Sequence, residues 1–567
     1  FLLVALPSPS SSTLNPYPMV EMQSKEVSPA SPDHLSAASG VTDNVQEPHI
    51  EATNELSKVS TEHAYPPTAK VLLVMACLFL VLFLVALDRL IIGVAIPSIT
   101  NDFNSLGDVG WYGSSYLLTS CAFMLLLGKV YTFANPKWIY IGSLIVFEIG
   151  SAICGAAPNS TALIVGRAIA GLGNAGLFQG AVIIIVYIVP LHKRPQYMGV
   201  LGMVFGVASA VGPLLGGAFT DGPGWRWCFY NIPVEMLERN PTTWKEKITQ
   251  MDPIGTFFFL PSIVCLLLAL QWGGVTYNWS NARIIVLLIL AGILLIGFVI
   301  VQKWKGDNAT VPGRIFMNRS VIAGFWFSFC MGGAMQTLFY FLPIWFQAIK
   351  HASAVKSGIM SLPFVLALVI MSISAGILTK KIGYYTPWMI ISSVLTPIGA
   401  GLITTFTPHT GHSAWIGYQV IFGFGVGLGN QQPSVAAQTV LSRKDVSIGA
   451  ALMMFSQTLG GAVFISVANN LFDSRLSQNL ADIPGLVIGS VASIGATDLR
   501  KLVPANLLPQ VLVGYNDALR ATFYLVTALA CCTVFGAAAM EWKSVKEGRQ
   551  KRAPGAVKDE EKLAEKA

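Results

Sequence analysis

Long apolar runs dominate this chain, and their number constrains its fold more than any other feature. A bilayer core needs about 20 apolar helical residues. Thirteen stretches qualify, near 71–97, 111–130, 138–157, 161–189, 196–220, 252–271, 282–302, 319–342, 355–378, 386–405, 413–437, 446–470 and 519–541. A soluble all-helical core would need polar helix faces, and these runs lack them. Charged residues make up 11% of the chain, where soluble domains carry roughly a quarter. The 53 glycines and 13 tryptophans suit helices that pack closely in lipid and rings that sit at headgroup level. The expected fold class is therefore all-α, a polytopic membrane protein.

Orientation follows Lys and Arg near the span ends. The net charge of +7 is accordingly informative loop by loop and is not a nucleic-acid footprint. Residues 1–69, rich in Ser, Pro, Asn and Glu, have the composition of a disordered cytosolic tail. Their opening, FLLVALPSPS, lacks a basic region and an initiating Met, so no cleaved signal peptide is expected, and Met19 or Met22 is the expected start. Residues 542–567 form a charged tail, basic next to the membrane, and read as cytosolic. The basic connections hold Lys129 and Lys137, Lys193 and Arg194, the stretch Lys303 to Arg319, Lys380 and Lys381, and Arg443 and Lys444; these are the inner side. Between them lie NDFNSLGD, APNST, GGVTYNWSN and TPHTGHS, poor in basic charge and hence outer. Asn159 and Asn278 begin N-x-S/T triplets on that outer side and are glycosylation candidates. Residues 472–518 read as a longer outer loop.

The alternation of sides fails once. Five spans place FTDGPGWRW outside, whereas counting back from the basic C-terminus places ERNPTTWKEK inside. The best intervening candidate, WCFYNIPVEML, has eleven residues and would reach only about 16 Å as a helix against a core of roughly 30 Å. One span of roughly 20 residues is expected to be absent, through a mispredicted splice junction. The expected organisation is a tail (1–69), a first bundle (70–233) with five of six spans, a truncated connection (234–251) and two linking spans (252–302). A cytosolic loop (303–318), a second bundle (319–541) and a cytosolic tail (542–567) follow.

Ionisable residues lie inside spans: Asp88, next to Arg89, in the first, Glu148 in the third and Arg167 in the fourth. A charge there costs at least about 2.5 kcal/mol and normally faces a cavity or a partner. A protonated Asp88 avoids most of that cost, and cycling between its two forms would couple protons to substrate movement. The alternatives are a static pair of Asp88 with Arg89, a snorkelling Arg89, and an Arg167 that bonds carbonyls of the first span. In the fifth span Gly199, Gly202, Gly206 and Ala210 recur every three or four residues and make one smooth helix face. Pro213 removes an amide hydrogen bond, and Gly212, Gly216 and Gly217 let the helix bend. GLGNAG follows no strand and is no nucleotide loop. No Walker sequence, metal-ligand cluster or nucleophile constellation is visible, which disfavours an ATP-driven pump or a membrane enzyme and implies no cofactor. Cys77, Cys121, Cys154, Cys265, Cys330, Cys531 and Cys532 lie in apolar runs and read as small buried side chains.

LDRLIIGVAIPSI (87–99), GRAIAGLGNAG (166–176), GVASAVGPLLGGAFTD (206–221) and WRWCFYNIP (225–233) together resemble signatures of the major facilitator superfamily. With VGWYGSSYLLTSCAFMLLLGKVYTFANPKW, the resemblance is to its fourteen-span drug:proton antiporters, the fungal toxin efflux pumps among them, over about 70–541. It implies two pseudo-symmetric bundles joined by two extra spans, rocking about a midplane site. It implies proton coupling by Asp88 and Arg167, with Gly171, Gly173 and Gly176 giving backbone clearance, and an antiporter motif at Gly206, Gly212, Pro213, Gly216 and Gly217. Leu90 stands where the pattern has Thr, and Thr132 where the charged gating loop has Asp. Trp111, Tyr112, Tyr116, Gln336, Tyr340, Gln347, Asn430, Gln431, Gln432 and Gln457 are the candidates for lining the cavity. The expected activity is proton-driven export of a small amphiphilic metabolite, toxin or drug, by a monomer in the plasma membrane. Uptake or vacuolar transport of a siderophore, amino acid or similar nutrient stays open, as does an inactive or sensor paralogue.

Overall fold

The structure is a computed structural model that describes residues 66–103, 105, 108–221, 224–229, 252–274, 276–442, 444–481, 503–504 and 506–546. Hydrocarbon offers no partner to a peptide group, so a chain this apolar has to satisfy its backbone within helices. Among the described residues thirteen long helices result: α1 Thr68–Phe103, α2 Val109–Phe133, α3 Pro136–Gly155, α4 Ser160–Ile188, α5 Arg194–Asp221, α6 Pro253–Trp272 and α7 Ala282–Lys305. They continue with α8 Arg319–Ala348, α9 Leu362–Ile382, α10 Thr386–Ile403, α11 His412–Gly429, α12 Val446–Ala481 and α13 Leu508–Ala539. Eleven helices among the described residues are long and apolar enough to cross a membrane; α5 and α11, rich in glycine, complete the set.

Helix starts are fixed locally. Asn135, Asn159, Asn281 and Asn318 each accept a hydrogen bond from an amide of the first turn, which satisfies a donor that the helix itself leaves orphaned. Proline fills the first turn of α3, α6, α9, α10 and α13, where its missing N–H costs nothing.

In the first bundle α1 packs on α5, and α4 on both α2 and α3. In the second, α8 packs on α12 and α13, α9 on α11, and α10 on α11 and α13. Two seams join the bundles, α5 against α9 and α2 against α12, while α6 and α7 pair with each other and lie beside α2 and α12. Some boundaries differ from the hydropathy reading. The run at 413–437 breaks after Gly429 into α11 and a short helix, Gln432–Val440, and Ala354–Met360 forms a separate turn before α9. Residues 472–518 are not one loop, because α12 runs on to Ala481 and α13 already begins at Leu508.

The basic connections meet at one end. Lys129 donates from the end of α2 to the Asn308 carbonyl, and Lys380 donates to Gln196 Oε1 at 3.0 Å. Arg314 holds Asp445, just before α12, through two bonds of 2.6 and 2.8 Å, and these keep the Asp445 carboxyl below the usual carboxylate range. Asp252, the cap of α6, is the densest knot. Its carboxylate pairs with Lys305 at 2.8 Å and accepts from the Gly255 amide, Gln302, and the amide and hydroxyl of Thr310. Burial pushes this carboxyl up, but Lys305, Gly255, Gln302 and Thr310 together hold it at about 2.

The opposite end is clamped by Asp102, which accepts from Trp225 Nε1 at 3.0 Å and Arg226 Nη1 at 2.9 Å. Ser151 bonds the Phe229 carbonyl there at 2.8 Å. The described chain thus leaves the end opposite the basic connections at Phe229 and resumes at the basic end at Asp252. The crossing and the truncated connection 234–251 lie outside the described residues.

Two outcomes follow. Sequencing the transcript across codons 228–240 should reveal about 20 further codons, one span's length; an uninterrupted match to the present chain overturns this. The Asp252 carboxyl is depressed from 3.8 to about 2, so its contribution to stability is complete above about pH 4 and is lost as pH falls toward 2. Thermal unfolding of the solubilised protein should show that loss, and Asp252→Asn should flatten it.

Candidate functional site

Asp88 and Arg167 are brought together across the core of the first bundle. Asp88 Oδ2 accepts from Arg167 Nη1 at 2.7 Å, and both side chains are fully enclosed. Arg167 Nε donates to the Tyr112 carbonyl at 3.0 Å, and its guanidinium lies 4.4 Å above the Tyr116 ring. The pairing excludes two sequence-level alternatives: Asp88 does not pair with Arg89, and the carbonyl that Arg167 bonds belongs to α2 rather than α1. Removing one partner of such a buried pair typically costs about 3–5 kcal/mol, because the other charge is stranded.

The pair is not saturated. Asp88 Oδ1 and the Tyr116 hydroxyl have no hydrogen-bond partner. Gly171, one turn beyond Arg167, is what lets α2 come this close, since a Cβ there would strike the Tyr116 carbonyl. Ser120 donates to the Gly171 carbonyl at 2.8 Å and accepts from Asn174 Nδ2 at 3.0 Å. Gly173 and Gly176 give the same clearance on the α3 side, against Phe147 and Ser143. Glu148 is half-buried on α3, within electrostatic reach of Asp88.

The glycine face of α5 packs on the second bundle. A Cβ on Gly199 would sit 2.5 Å from the Ser372 carbonyl, and Cβ atoms on Gly202 and Gly206 would overlap Ser372 and Val369 of α9. Gly376 answers from α9 against the Pro195 carbonyl, and Ser372 Oγ donates to Gly199 O at 3.2 Å. On the other seam Gln179 donates to the Ser447 carbonyl at 2.9 Å. These contacts lie toward the basic end, so the bundles are shut against each other there. Gly212 and Gly216 are buried further along α5, and Pro213 and Gly217 belong to the same helix.

The cavity candidates divide. Asn430 Oδ1 accepts from Gln457 Nε2 at 2.7 Å, and Gln336 lies beside Gly461; all three amides are partly exposed. Tyr340 is exposed. Tyr112 and Tyr116 are corrections: both are fully enclosed, the Tyr112 hydroxyl taken up by Ser105 and Ser160 at 2.7 and 2.9 Å and the Tyr116 ring covered by Arg167. Trp111 stacks edge-on against Trp272 of α6 with ring centroids 6.0 Å apart. Gln347 is tied to Ser357 at 3.1 Å, Gln432 is buried and accepts from Thr379, and Gln431 approaches Gly202 at the bundle seam. Asn159 is exposed but its side chain caps α4, and Asn278 is exposed in the turn between α6 and α7.

The chain as a whole is similar to known proteins. The sequence profile of the Major Facilitator Superfamily covers residues 78–234 and 251–465. The chain belongs to the major facilitator superfamily. The protein named MFS-type efflux pump MFS1 from Arthroderma benhamiae is 53% identical over 495 residues, 84% of this chain and 92% of its own length. MFS-type transporter VdtG from Byssochlamys spectabilis is 51% identical over 500 residues, 86% and 90% of the two chains. Efflux pump aflT from Aspergillus parasiticus is 49% identical over 499 residues, 85% and 97%. Among solved structures, a bacterial homolog of the human lysosomal transporter Spinster, inward-facing and occupied, aligns with a TM-score of 0.51. At 18% identity over 82% of this chain and 96% of that one, this is a likeness of fold.

The connection after α2 departs from the pattern the chain resembles. Thr132, standing where the pattern has Asp, bonds only its own helix at Gly128 O. Besides the direct contacts of Lys380 and Gln179, a connection between the bundles at this end runs through the segment after α7, from Lys129 through Asn308 and Arg314 to Asp445. Composition gave no hint of that route, nor of the Asp102 clamp, although acidic NDFNSLGD and basic WRW were visible as separate pieces.

Gly202→Val should wedge α5 from α9 at the usual small-to-large cost of about 1–3 kcal/mol. Gly417→Val is the control, since a Cβ there meets nothing within 4 Å. The unfolding midpoint of the solubilised protein should fall for the first variant and stay put for the second.

Proposed function

We propose that this chain exports small amphiphilic organic compounds, such as secondary metabolites, toxins or drugs, in exchange for protons, by alternating access at the plasma membrane. The observation that carries the reading is the Asp88–Arg167 pair, an enclosed carboxylate held by one oxygen with the other unbonded. A proton on Asp88 removes the attraction that holds α1 to α4 and leaves Arg167 tied only to α2. Loading and unloading that proton therefore changes the relative energy of two bundle arrangements, which is what coupling requires. Glu148, within electrostatic reach of Asp88, is a relay position for the proton.

The glycine seam between α5 and α9 is the antiporter element. Its fit depends on backbone contact rather than on long side chains, so the seam is either closed or open with few intermediates. Relatives named as efflux pumps support the outward direction. The partly exposed Gln336, Asn430 and Gln457 suit an apolar-bodied substrate with a few polar groups.

In a deletion strain complemented with the intact gene, resistance to the exported compound should return, and Asp88→Asn should lose it at equal surface abundance. Resistance that survives Asp88→Asn rules out the coupling role. Vesicles that accumulate the compound in the inward direction under the same proton gradient rule out export.

A further inference from the structure

Residues 306–318, between α7 and α8, form a strap across the basic end that is built into the second bundle. Its start is fixed to the linking pair: Thr310 donates twice to Asp252, and the Val311 amide donates to Gln302 Oε1 at 2.8 Å. Its end runs straight into α8, with Ile315 fully buried and Arg314 holding Asp445. A chain of rings continues the connection. Phe316 of the strap lies 5.7 Å from Phe325 of α8, which lies 6.4 Å from Phe455 of α12, and Phe455 lies 5.4 Å from Phe259 of α6. Linking pair, strap and second bundle therefore form one body at this end.

From the first bundle, Lys129 near the end of α2 reaches that body. It is only 1% exposed, and its ammonium donates to the Asn308 carbonyl. Among the described residues it makes no other hydrogen bond and no ion pair. The Asp252 carboxylate attracts it, but Lys305 already pairs with that carboxylate and repels Lys129 in turn. Three ammonium protons that water would satisfy are thus left with one neutral acceptor, which compensates the burial of a charge poorly. The cover is thin, since Asn308 itself is exposed. The neighbouring Gly128 shows what keeps it shut: a Cβ there would lie 2.3 Å from the Ala451 Cβ, so α2 rests directly on α12 at this turn. Parting the two helices here returns Lys129 to water.

We propose that the basic end opens along the line between Lys129 and the strap, and that rehydration of the Lys129 ammonium favours the opening. Glycine packing and the contacts of Gln179 and Lys380 hold the end shut, and Lys129 opposes them. A poorly compensated charge raises the energy of the shut arrangement and leaves the open one unchanged, so it shifts the balance between the two. The linking pair stays with the second bundle as the end parts, because the Asp252 knot and the chain of rings tie it there. This inference rests on the alternating-access part of the proposed function and names a residue that sets its balance.

The test uses the full chain with Ser447→Cys, in vesicles that expose the basic end. Ser447 is buried at the contact of α4 with α12, so labelling of position 447 by a water-soluble maleimide reads the opening. A water-soluble acylating reagent reads the exposure of Lys129, and peptide mass spectrometry follows both sites. Lys129 should react wherever position 447 does. Lys129→Met should slow labelling at position 447 by at least about tenfold, the scale of a charged group left short of hydrogen bonds, without lowering the unfolding midpoint. Lys129→Gln, neutral yet able to donate to Asn308, should behave as Lys129→Met does. Unchanged or faster labelling in Lys129→Met, a lowered midpoint, Lys129→Gln that labels at the parental rate, or a Lys129 that stays unreactive while position 447 labels overturns the inference and leaves alternating access standing. If position 447 labels in none of the proteins, the basic end does not open and the alternating-access reading itself has failed.

Discussion

A bilayer interior supplies no hydrogen bonds and no counter-ions, and every notable feature of this molecule is an answer to that shortage. Peptide groups close on themselves in helices, and helices gain packing energy only by close approach, because lipid tails are as apolar as Leu. Glycine supplies the approach where it matters most. Gly171 admits α2 to within bonding distance of Arg167, and the α5 face of Gly199, Gly202 and Gly206 meets α9 backbone to side chain. The buried ion pair depends on this geometry. Without the α2–α4 contact at Gly171, Arg167 would lose both the Tyr112 carbonyl and the Tyr116 ring that complete its surroundings.

The two ends of the molecule are built on different principles. At the outer end one carboxylate, Asp102, gathers Trp225 and Arg226 from the far side of the first bundle, with the Arg226 guanidinium stacked 4.3 Å above Trp225. That clamp ties elements within a bundle. At the basic end polar contacts run between the two bundles: α4 to α12 through Gln179 and Ser447, and α5 to α9 through Gln196 and Lys380. The Gln179 contact is buried, whereas that between Lys380 and Gln196 is part-buried.

The sequence made the bundle legible because hydrocarbon thickness writes itself as run length, and Asp88 and Arg167 stood out as charges where charges are rare. Their pairing was not legible: 79 residues separate them, and Arg89 was an equally plausible partner on adjacency alone. Run length also misjudged α12 and α13. Both extend beyond the hydrocarbon into Ala481 and from Leu508, where water tolerates polar helix and hydropathy has nothing to detect. Tyr112 was read as a cavity residue because aromatic hydroxyls on a span suggest ligands, yet its neighbours in space, Ser105 and Ser160, lie in separate parts of the outer end. Arg314 and Asp445 are unremarkable surface charges in the sequence and become a bundle connection only in three dimensions.

The placement of α6 and α7 breaks the symmetry of the transporter. Two bundles related by a pseudo-twofold axis present two equivalent seams to the membrane, yet the linking pair stands over only one of them. There Phe259 of α6 packs against Phe455 of α12 at 5.4 Å, and Trp272 meets Trp111 of α2. Among the described residues no linking helix covers the α5–α9 junction, whereas the α2–α12 junction is backed by α6. Among the described residues the bundle junction is therefore one-handed, screened by the linking pair on a single flank.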